Sequence, residues 1–113
     1  MSEIQTTQAY AFISQPMSGL SDEEIRDVQA SATMKLTAMG YKVMNSYLPD
    51  AEVLGCRNLP LGYLARSLSI LANCDAIYMC KGFMNARGCL IEERCAAEYG
   101  IKIIYESEEN IDD

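Results

Sequence analysis

Short apolar runs alternate along the chain with longer segments in which apolar residues recur every three or four positions. The runs lie at residues 9–14 (AYAFIS), 41–46 (YKVMNS), 75–80 (DAIYMC) and 101–105 (IKIIY). Each has the length of a buried strand, and turn-forming residues bound them. The sequence therefore predicts four strands.

Three helices are predicted between these strands. The first begins at the capping box formed by Ser21 and Glu24 and ends at Gly40. The second begins at Pro60, and the third is predicted to be capped by Asn85 and closed by Gly100. The apolar stripes of the first two helices are Ile25, Val28, Ala32, Leu36 and Met39, then Leu61, Leu64, Leu68 and Leu71.

Strict alternation of strand and helix predicts one α/β domain over residues 1–113, with an acidic tail at 106–113 that frays. Right-handed crossovers then give a three-layer, flavodoxin-like or Rossmann-like fold, with a parallel sheet of order 2-1-3-4 and helices on both faces. In such sheets ligands bind beyond the carboxyl ends of the strands. The ligand site is therefore expected near residues 14–19, 45–46 and 81–92.

Charge and composition narrow the classes of function. The net charge of −7 would repel a phosphate backbone, so no nucleic-acid partner is expected. The chain has no histidine, which excludes Ser-His-Asp and Cys-His catalysis and most zinc sites. An enzyme of this composition must use carboxylates, and we expect no metal and no cofactor.

The compartment is predicted from what the sequence lacks. No apolar run approaches a membrane span and no signal peptide opens the chain, so we expect a cytoplasmic protein without a membrane partner. The cysteines are odd in number, lack Cys-x-x-Cys spacing and lie in apolar segments, so we expect reduced core residues. They are Cys56, Cys74, Cys80, Cys89 and Cys95.

The third helix carries the most specific chemical pattern. Gly88 and Glu92 are four residues apart, so they share one helical face near the N-terminus, where a carboxylate is held ionised. The same spacing is also typical of a solvated carboxylate. Arg87 at this helix start indicates either an anionic partner or an ordinary surface arginine, whereas Asp75 is expected to fix a turn rather than to catalyse.

Two long segments resemble the nucleoside 2-deoxyribosyltransferase-like superfamily. Residues 12–19 (FISQPMSG) are similar to its first-strand signature, and residues 81–92 (KGFMNARGCLIE) are similar to its segment from the third strand into the following helix. Residues 74–78 (CDAIY) and 100–104 (GIKII) extend the resemblance over most of the chain.

The resemblance implies a nucleoside or nucleotide ligand and a glutamate nucleophile, Glu92, that attacks the anomeric carbon of a deoxyribosyl group. It also implies a homo-oligomer, a dimer or a multiple of one, in which a neighbour helps to close the site. Ser67 stands at the position of the superfamily's catalytic aspartate and is the second catalytic candidate. The predicted ligand-binding residues are Phe12, Ser14, Gln15, Met17, Ser18, Gly19, Asn45, Asn85, Arg87 and Gly88.

Two departures from the superfamily keep an alternative open. Ser67 is a poor acid, and Phe12 replaces a tyrosine whose hydroxyl helps to orient the nucleophile. The alternative is a non-catalytic binder of a nucleotide-like molecule in the same pocket, and a third hypothesis is an assembly module without a ligand. Met17, Phe83 and Met84 flank the expected pocket and either enclose a base or belong to the core.

Overall fold

The computed structural model describes residues 7–44 and 55–106. Within these ranges the chain forms four parallel strands in the order β2-β1-β3-β4, which confirms the predicted fold class and strand order. The predicted site residue Asn45 and the tail from 107 onward lie outside the described residues. The elements are β1 (Ala9–Ser14), α1 (Asp22–Ala38), β2 (Tyr41–Met44), α2 (Leu59–Leu71), β3 (Ala76–Met79), α3 (Arg87–Glu98) and β4 (Lys102–Tyr105).

The sheet is buried on both faces by alternate residues of its central strands. Ala11 and Ile13 of β1 pack with Leu36 of α1 on one face. Phe12 of β1 packs with Leu71 of α2 and Cys89 of α3 on the other. Because side chains alternate along a strand, Ser14 also lies on the face covered by α2 and α3. The result is the three-layer arrangement of a flavodoxin-like fold.

The first helix begins as the sequence predicts. The hydroxyl of Ser21 accepts a hydrogen bond from the Glu24 backbone N–H, and the Glu24 carboxylate accepts one from the Ser21 N–H. The predicted apolar stripe is partly wrong, because Val28 and Met39 are 36% and 53% exposed. Along the described part of the chain, none of the helices is both long and apolar enough to cross a membrane.

The predicted cap of the third helix is wrong. Gly82 adopts a φ of 89°, and residues 83–85 form a short 3₁₀ turn after it. This turn contains Asn85, so α3 begins two residues later, and Ala86 is its N-cap without a side-chain hydrogen bond. At the other end Gly100 has a φ of 77° and Ile101 N–H bonds to Ala96 O, which confirms the predicted end of the helix at Gly100.

Glu106 does not fray, contrary to the sequence prediction. Its backbone N–H donates to Met79 O at 3.0 Å, which extends the ladder between β3 and β4. Its carboxylate accepts a hydrogen bond from the Lys81 N–H at 2.8 Å and lies 3.8 Å from Lys35 Nζ. The predicted fraying therefore begins at least one residue too early.

Two apolar predictions around α2 are also corrected. Cys56 is exposed and is not a core residue, unlike Cys74, Cys80 and Cys89, while Cys95 is half-buried. Leu61 is 59% exposed, because it lies in the first turn of α2, before the helix packs onto the sheet. Leu71 at the opposite end of the helix is buried, as predicted.

The connections place a topological switch point between β1 and β3. The chain leaves β1 through α1, which covers one face, to reach β2 on one side. It leaves β3 through α3, which covers the opposite face, to reach β4 on the other side. A crevice forms where neighbouring crossovers diverge in this way, and ligands of open α/β sheets bind there.

Candidate functional site

A cleft of about 540 Å³ opens at this switch point, between α2, the start of α3 and the segment after β1. It combines apolar walls with a few polar groups, which is the usual character of a small-molecule site. The residues that line it are Phe12, Ile13, Gln15, Pro16, Met17, Ser18, Pro60, Tyr63, Leu64, Ser67, Asn85, Ala86, Arg87, Gly88, Cys89 and Glu92.

Glu92 lies on the face of α3 that packs toward the sheet and is only 8% exposed. Its Oε1 accepts a hydrogen bond of 2.6 Å from the Ser14 hydroxyl at the end of β1. Ser14 is itself 1% exposed and does not line the cleft. The predicted ligand-binding residue Ser14 therefore reaches the cleft through Glu92.

Burial raises the pKa of the Glu92 carboxyl above its ordinary value. Hydrogen bonds from the hydroxyls of Ser14 and Ser67 act in the opposite direction and lower this pKa, because they stabilise the carboxylate. Among the described residues that line the cleft, Glu92 is the only carboxylate. The site thus contains one buried acid held between two hydroxyl donors, one from β1 and one from α2.

Ser67 is brought to Glu92 by α2, and the same helix adds residues that sequence reasoning missed. Pro60, Tyr63 and Leu64 line the cleft wall one and two turns before Ser67. Positions 60, 63, 64 and 67 lie on one face of a helix. Following this face from Ser67 toward the start of the helix would have identified the three residues from the sequence. The leucine stripe used for the prediction shares only Leu64 with this face and was assigned to the core.

The start of α3 supplies the open end of the cleft. Gly88 lines the cleft, and a Cβ atom at this position would have no neighbouring atom within 4 Å. A side chain there would therefore extend into the cleft. Arg87 and Asn85 lie at the rim and are exposed. Because no side chain caps this helix start, its backbone N–H groups add to the positive charge of Arg87.

Most of the predicted ligand-binding residues lie together in this cleft, but Gly19 does not. Gly19 has a φ of 81° and follows Met17 in a turn closed by the Leu20 N–H bonding to Met17 O. This conformation favours glycine, so the turn accounts for the residue. Of the three flanking residues, Met17 lines the cleft, Phe83 packs against the core and Met84 is 70% exposed.

Asp75 has a structural role, but it joins two strands rather than fixing a turn as predicted. Its Oδ2 accepts a hydrogen bond of 2.8 Å from the Tyr10 N–H, and its own N–H donates to Tyr10 O at 2.8 Å. These two bonds join the beginnings of β1 and β3. Asp75 thus lies at the amino end of β3, whereas the cleft lies at the carboxyl ends of the strands.

The buried thiols are poor nucleophiles. Burial raises the pKa of Cys74 and of Cys89 to about 11 and that of Cys80 to about 12. Cys89 is the one that lines the cleft; the Ser14 hydroxyl lowers its pKa and the charge of Glu92 raises it, both acting less strongly than burial. Across residues 7–44 and 55–106, the structure places no group of three or more Cys, Asp or Glu side chains where it could hold a metal.

Comparison with known proteins gives one result. No curated protein and no solved structure matches the chain. The model of a family described as "Domain of unknown function (DUF4406)" matches residues 9–105. That match runs from the first residue of β1 to the last residue of β4 and includes the whole described cleft. The chain therefore belongs to the DUF4406 family.

Proposed function

We propose that the cleft binds a nucleoside or nucleotide and that Glu92 cleaves its N-glycosidic bond, passing the sugar to water or to another base. The observation that carries the proposal is the position of Glu92, a buried carboxylate in a cleft at the switch point, held by the hydroxyls of Ser14 and Ser67. The resemblance of residues 12–19 and 81–92 to the nucleoside 2-deoxyribosyltransferase-like superfamily supports the same chemistry.

The proposed reaction has two steps. A Glu92 oxygen attacks the anomeric carbon, a C–O ester bond forms, and the C–N bond to the base breaks with its electron pair leaving on the base nitrogen, which takes up a proton from solvent. Water or an N–H nitrogen of a second base then attacks the same carbon, breaks the ester C–O bond to release the carboxylate, and returns one proton to solvent. Splitting one displacement in two lowers each barrier.

The cleft walls suit the two ends of such a ligand. Met17, Pro60 and Leu64 offer apolar surface against which a flat base can pack. Arg87 and the N-terminus of α3, which lacks a side-chain cap, favour an anionic group on the ligand. Gly88, one helical turn before Glu92, leaves room for the sugar.

A second candidate function, binding of a nucleotide-like molecule without catalysis, is favoured by two observations. Burial raises the pKa of Glu92, which increases the neutral fraction that can hydrogen-bond but cannot attack. At their own positions Phe12 and Ser67 place neither a phenol nor a carboxylic acid, and the phenol that the cleft contains, that of Tyr63, comes from α2. A ligand could then be held by the same groups without leaving-group protonation.

The deciding experiment incubates the protein with purine and pyrimidine deoxynucleosides and their monophosphates, measuring free base by chromatography and ligand binding by calorimetry. If Glu92 cleaves the N-glycosidic bond, free base should appear. After an acid quench, the mass of the protein should be increased by one sugar or sugar phosphate. E92Q should abolish both signals, whereas E93Q should not, because Glu93 faces Tyr105 and is outside the cleft.

Binding without base release would overturn catalysis and support the binder. Base release that survives in E92Q would overturn Glu92 as the nucleophile. Neither binding nor release for any of the ligands would overturn both candidate functions.

A further inference from the structure

The phenol of the cleft belongs to Tyr63, in the second turn of α2. Tyr63 is half-buried and lies one helical turn before Ser67, on the same face of the helix. Ser67 in turn directs its hydroxyl to the Glu92 carboxylate. The wall that carries the phenol is therefore the wall that meets the proposed nucleophile.

This wall becomes apolar from Ser67 toward the start of α2. Pro60 lines it there, and Met17 lines the cleft from the segment after β1. Tyr63 lies between Pro60 and Ser67 along the helix, about 6 Å of helical rise from Ser67. A base that packs on this apolar surface, with its sugar at Glu92, lies beside Tyr63.

The other hydroxyl, amide and guanidinium groups of the described cleft are engaged or face solvent. The Ser67 hydroxyl bonds to the buried carboxylate. Gln15 Nε2 donates to a backbone carbonyl in the first turn of α1 at 3.1 Å. The exposed polar side chains are those of Ser18, Asn85 and Arg87. Tyr63 is therefore the donor best placed to meet a base on the apolar wall.

We propose that the Tyr63 hydroxyl donates a hydrogen bond to the base of the ligand and thereby makes it a better leaving group. The acceptor is a ring or carbonyl atom two bonds from the glycosidic nitrogen. Purines offer N3 and N7 at that distance, and pyrimidines offer O2. This inference rests on the proposed function in its catalytic form and adds the group that recognises the base.

The hydrogen bond acts on the charge that develops during cleavage. When the C–N bond breaks, its electron pair moves onto the base, and negative charge spreads over these acceptors. A donor fixed in advance stabilises that charge more than the uncharged ground state, so it lowers the barrier. A phenol is more acidic than a serine hydroxyl and donates the stronger hydrogen bond. The phenol keeps its proton, since the departing base is protonated from solvent.

Y63F tests the hydroxyl, because it removes one oxygen and keeps the ring. For each deoxynucleoside or monophosphate that the wild type cleaves, Y63F should lower kcat about 10²-fold and change KM little. This is the lower range for the loss of one preorganised donor. Y99F is the matched control and should not change kcat, since Tyr99 is 83% exposed and lies outside the cleft. Circular dichroism checks the fold of both variants.

Analogues of a cleaved purine ligand locate the contact. The 3-deaza and 7-deaza bases each lack one of the two purine acceptors. The ratio of wild-type to Y63F kcat should fall close to one for the analogue that lacks the bonded acceptor. It should stay at about 10² for the other analogue. Taking this ratio cancels the different intrinsic reactivities of the analogues.

Base release that Y63F leaves unchanged would overturn this inference and leave the proposed function standing. A loss of kcat that is equal for the parent ligand and both analogues would also overturn it, because a disturbed cleft would act on all three alike. No base release by the wild type would overturn the inference together with catalysis by Glu92.

Discussion

The Ser14 hydroxyl donates a hydrogen bond of 2.6 Å to Oε1 of Glu92 and thereby joins the end of β1 to the second turn of α3. Both side chains are buried, so the bond forms in a medium that screens charge poorly. It therefore controls both the orientation of the carboxylate and its affinity for a proton.

Replacing Ser14 with alanine should raise the pKa of Glu92, since the hydroxyl lowers that pKa in the wild type. It should also cost about 1–3 kcal/mol of unfolding free energy, because a buried acceptor loses its partner. Carbon-detected NMR titration of Glu92 and chemical denaturation measure the two effects. S18A, which removes an exposed hydroxyl in the same segment, is the control. An unchanged Glu92 titration in S14A would show that the bond has no electrostatic role.

Glu92 should also give the protein a characteristic pH dependence of stability. Its pKa in the folded state is raised above the ordinary value of 4.5, so the native protein binds more protons than the unfolded chain between the two values. The contribution of Glu92 to the free energy of unfolding is therefore fully present below pH 4.5. It is lost as the pH rises through the pKa that Glu92 has in the folded protein.

E92Q removes this dependence while its amide oxygen can still accept the Ser14 hydrogen bond. The unfolding free energy of E92Q should thus increase relative to that of the wild type as pH rises from 4.5 toward neutrality. Urea denaturation of both proteins across this range measures it, and subtraction cancels the other carboxylates. A difference that is constant with pH would contradict the raised pKa.

The fold could be predicted from the sequence because each element follows a local periodicity. The apolar run at residues 9–14, ended by Gln15 and Pro16, has the length of a short buried strand, and Ser21 with Glu24 marked the start of α1. The spacing of Gly88 and Glu92 indicated that they share one face of α3, but the burial of that face is seen only in the structure.

What sequence reasoning missed depends on contacts between distant segments. Asn85 has the chemistry of a cap, but the positive φ of Gly82 starts a 3₁₀ turn that includes it. Ser14 was predicted to bind the ligand directly, whereas it contacts Glu92, 78 residues later, because α3 packs on β1. Glu106 was placed in the tail because its partners, Lys81 and Lys35, are remote in sequence.

Arg87 should distinguish phosphorylated from unphosphorylated ligands. R87A is expected to weaken binding of a nucleoside monophosphate by about 1–3 kcal/mol while changing that of the nucleoside little, because the lost interaction is charge-assisted. Calorimetry with both ligands measures the difference, and R26A on the opposite side of the sheet controls for net charge. Equal losses for both ligands would indicate that Arg87 supports the fold of the helix start instead.

Ser67 offers the sharpest separation of the two candidate functions, because its hydroxyl reaches Glu92 from α2. S67D places a second carboxylic acid against a buried one, and repulsion between the two keeps one of them protonated near neutral pH. If Glu92 cleaves the glycosidic bond, this proton can be given to the leaving base, and base release should rise by about 10²-fold, the lower range for positioned proton transfer.

If the cleft only binds, S67D should instead weaken the ligand, because an added buried carboxyl group lacks a partner, and no base should appear. S67A is the matched control, since it removes the hydroxyl without adding an acid and should slow any wild-type cleavage. Base release and ligand affinity are measured for wild type, S67A, S67D and S67D/E92Q. Faster release in S67D that persists in S67D/E92Q would assign the chemistry to the new aspartate and contradict a nucleophilic Glu92.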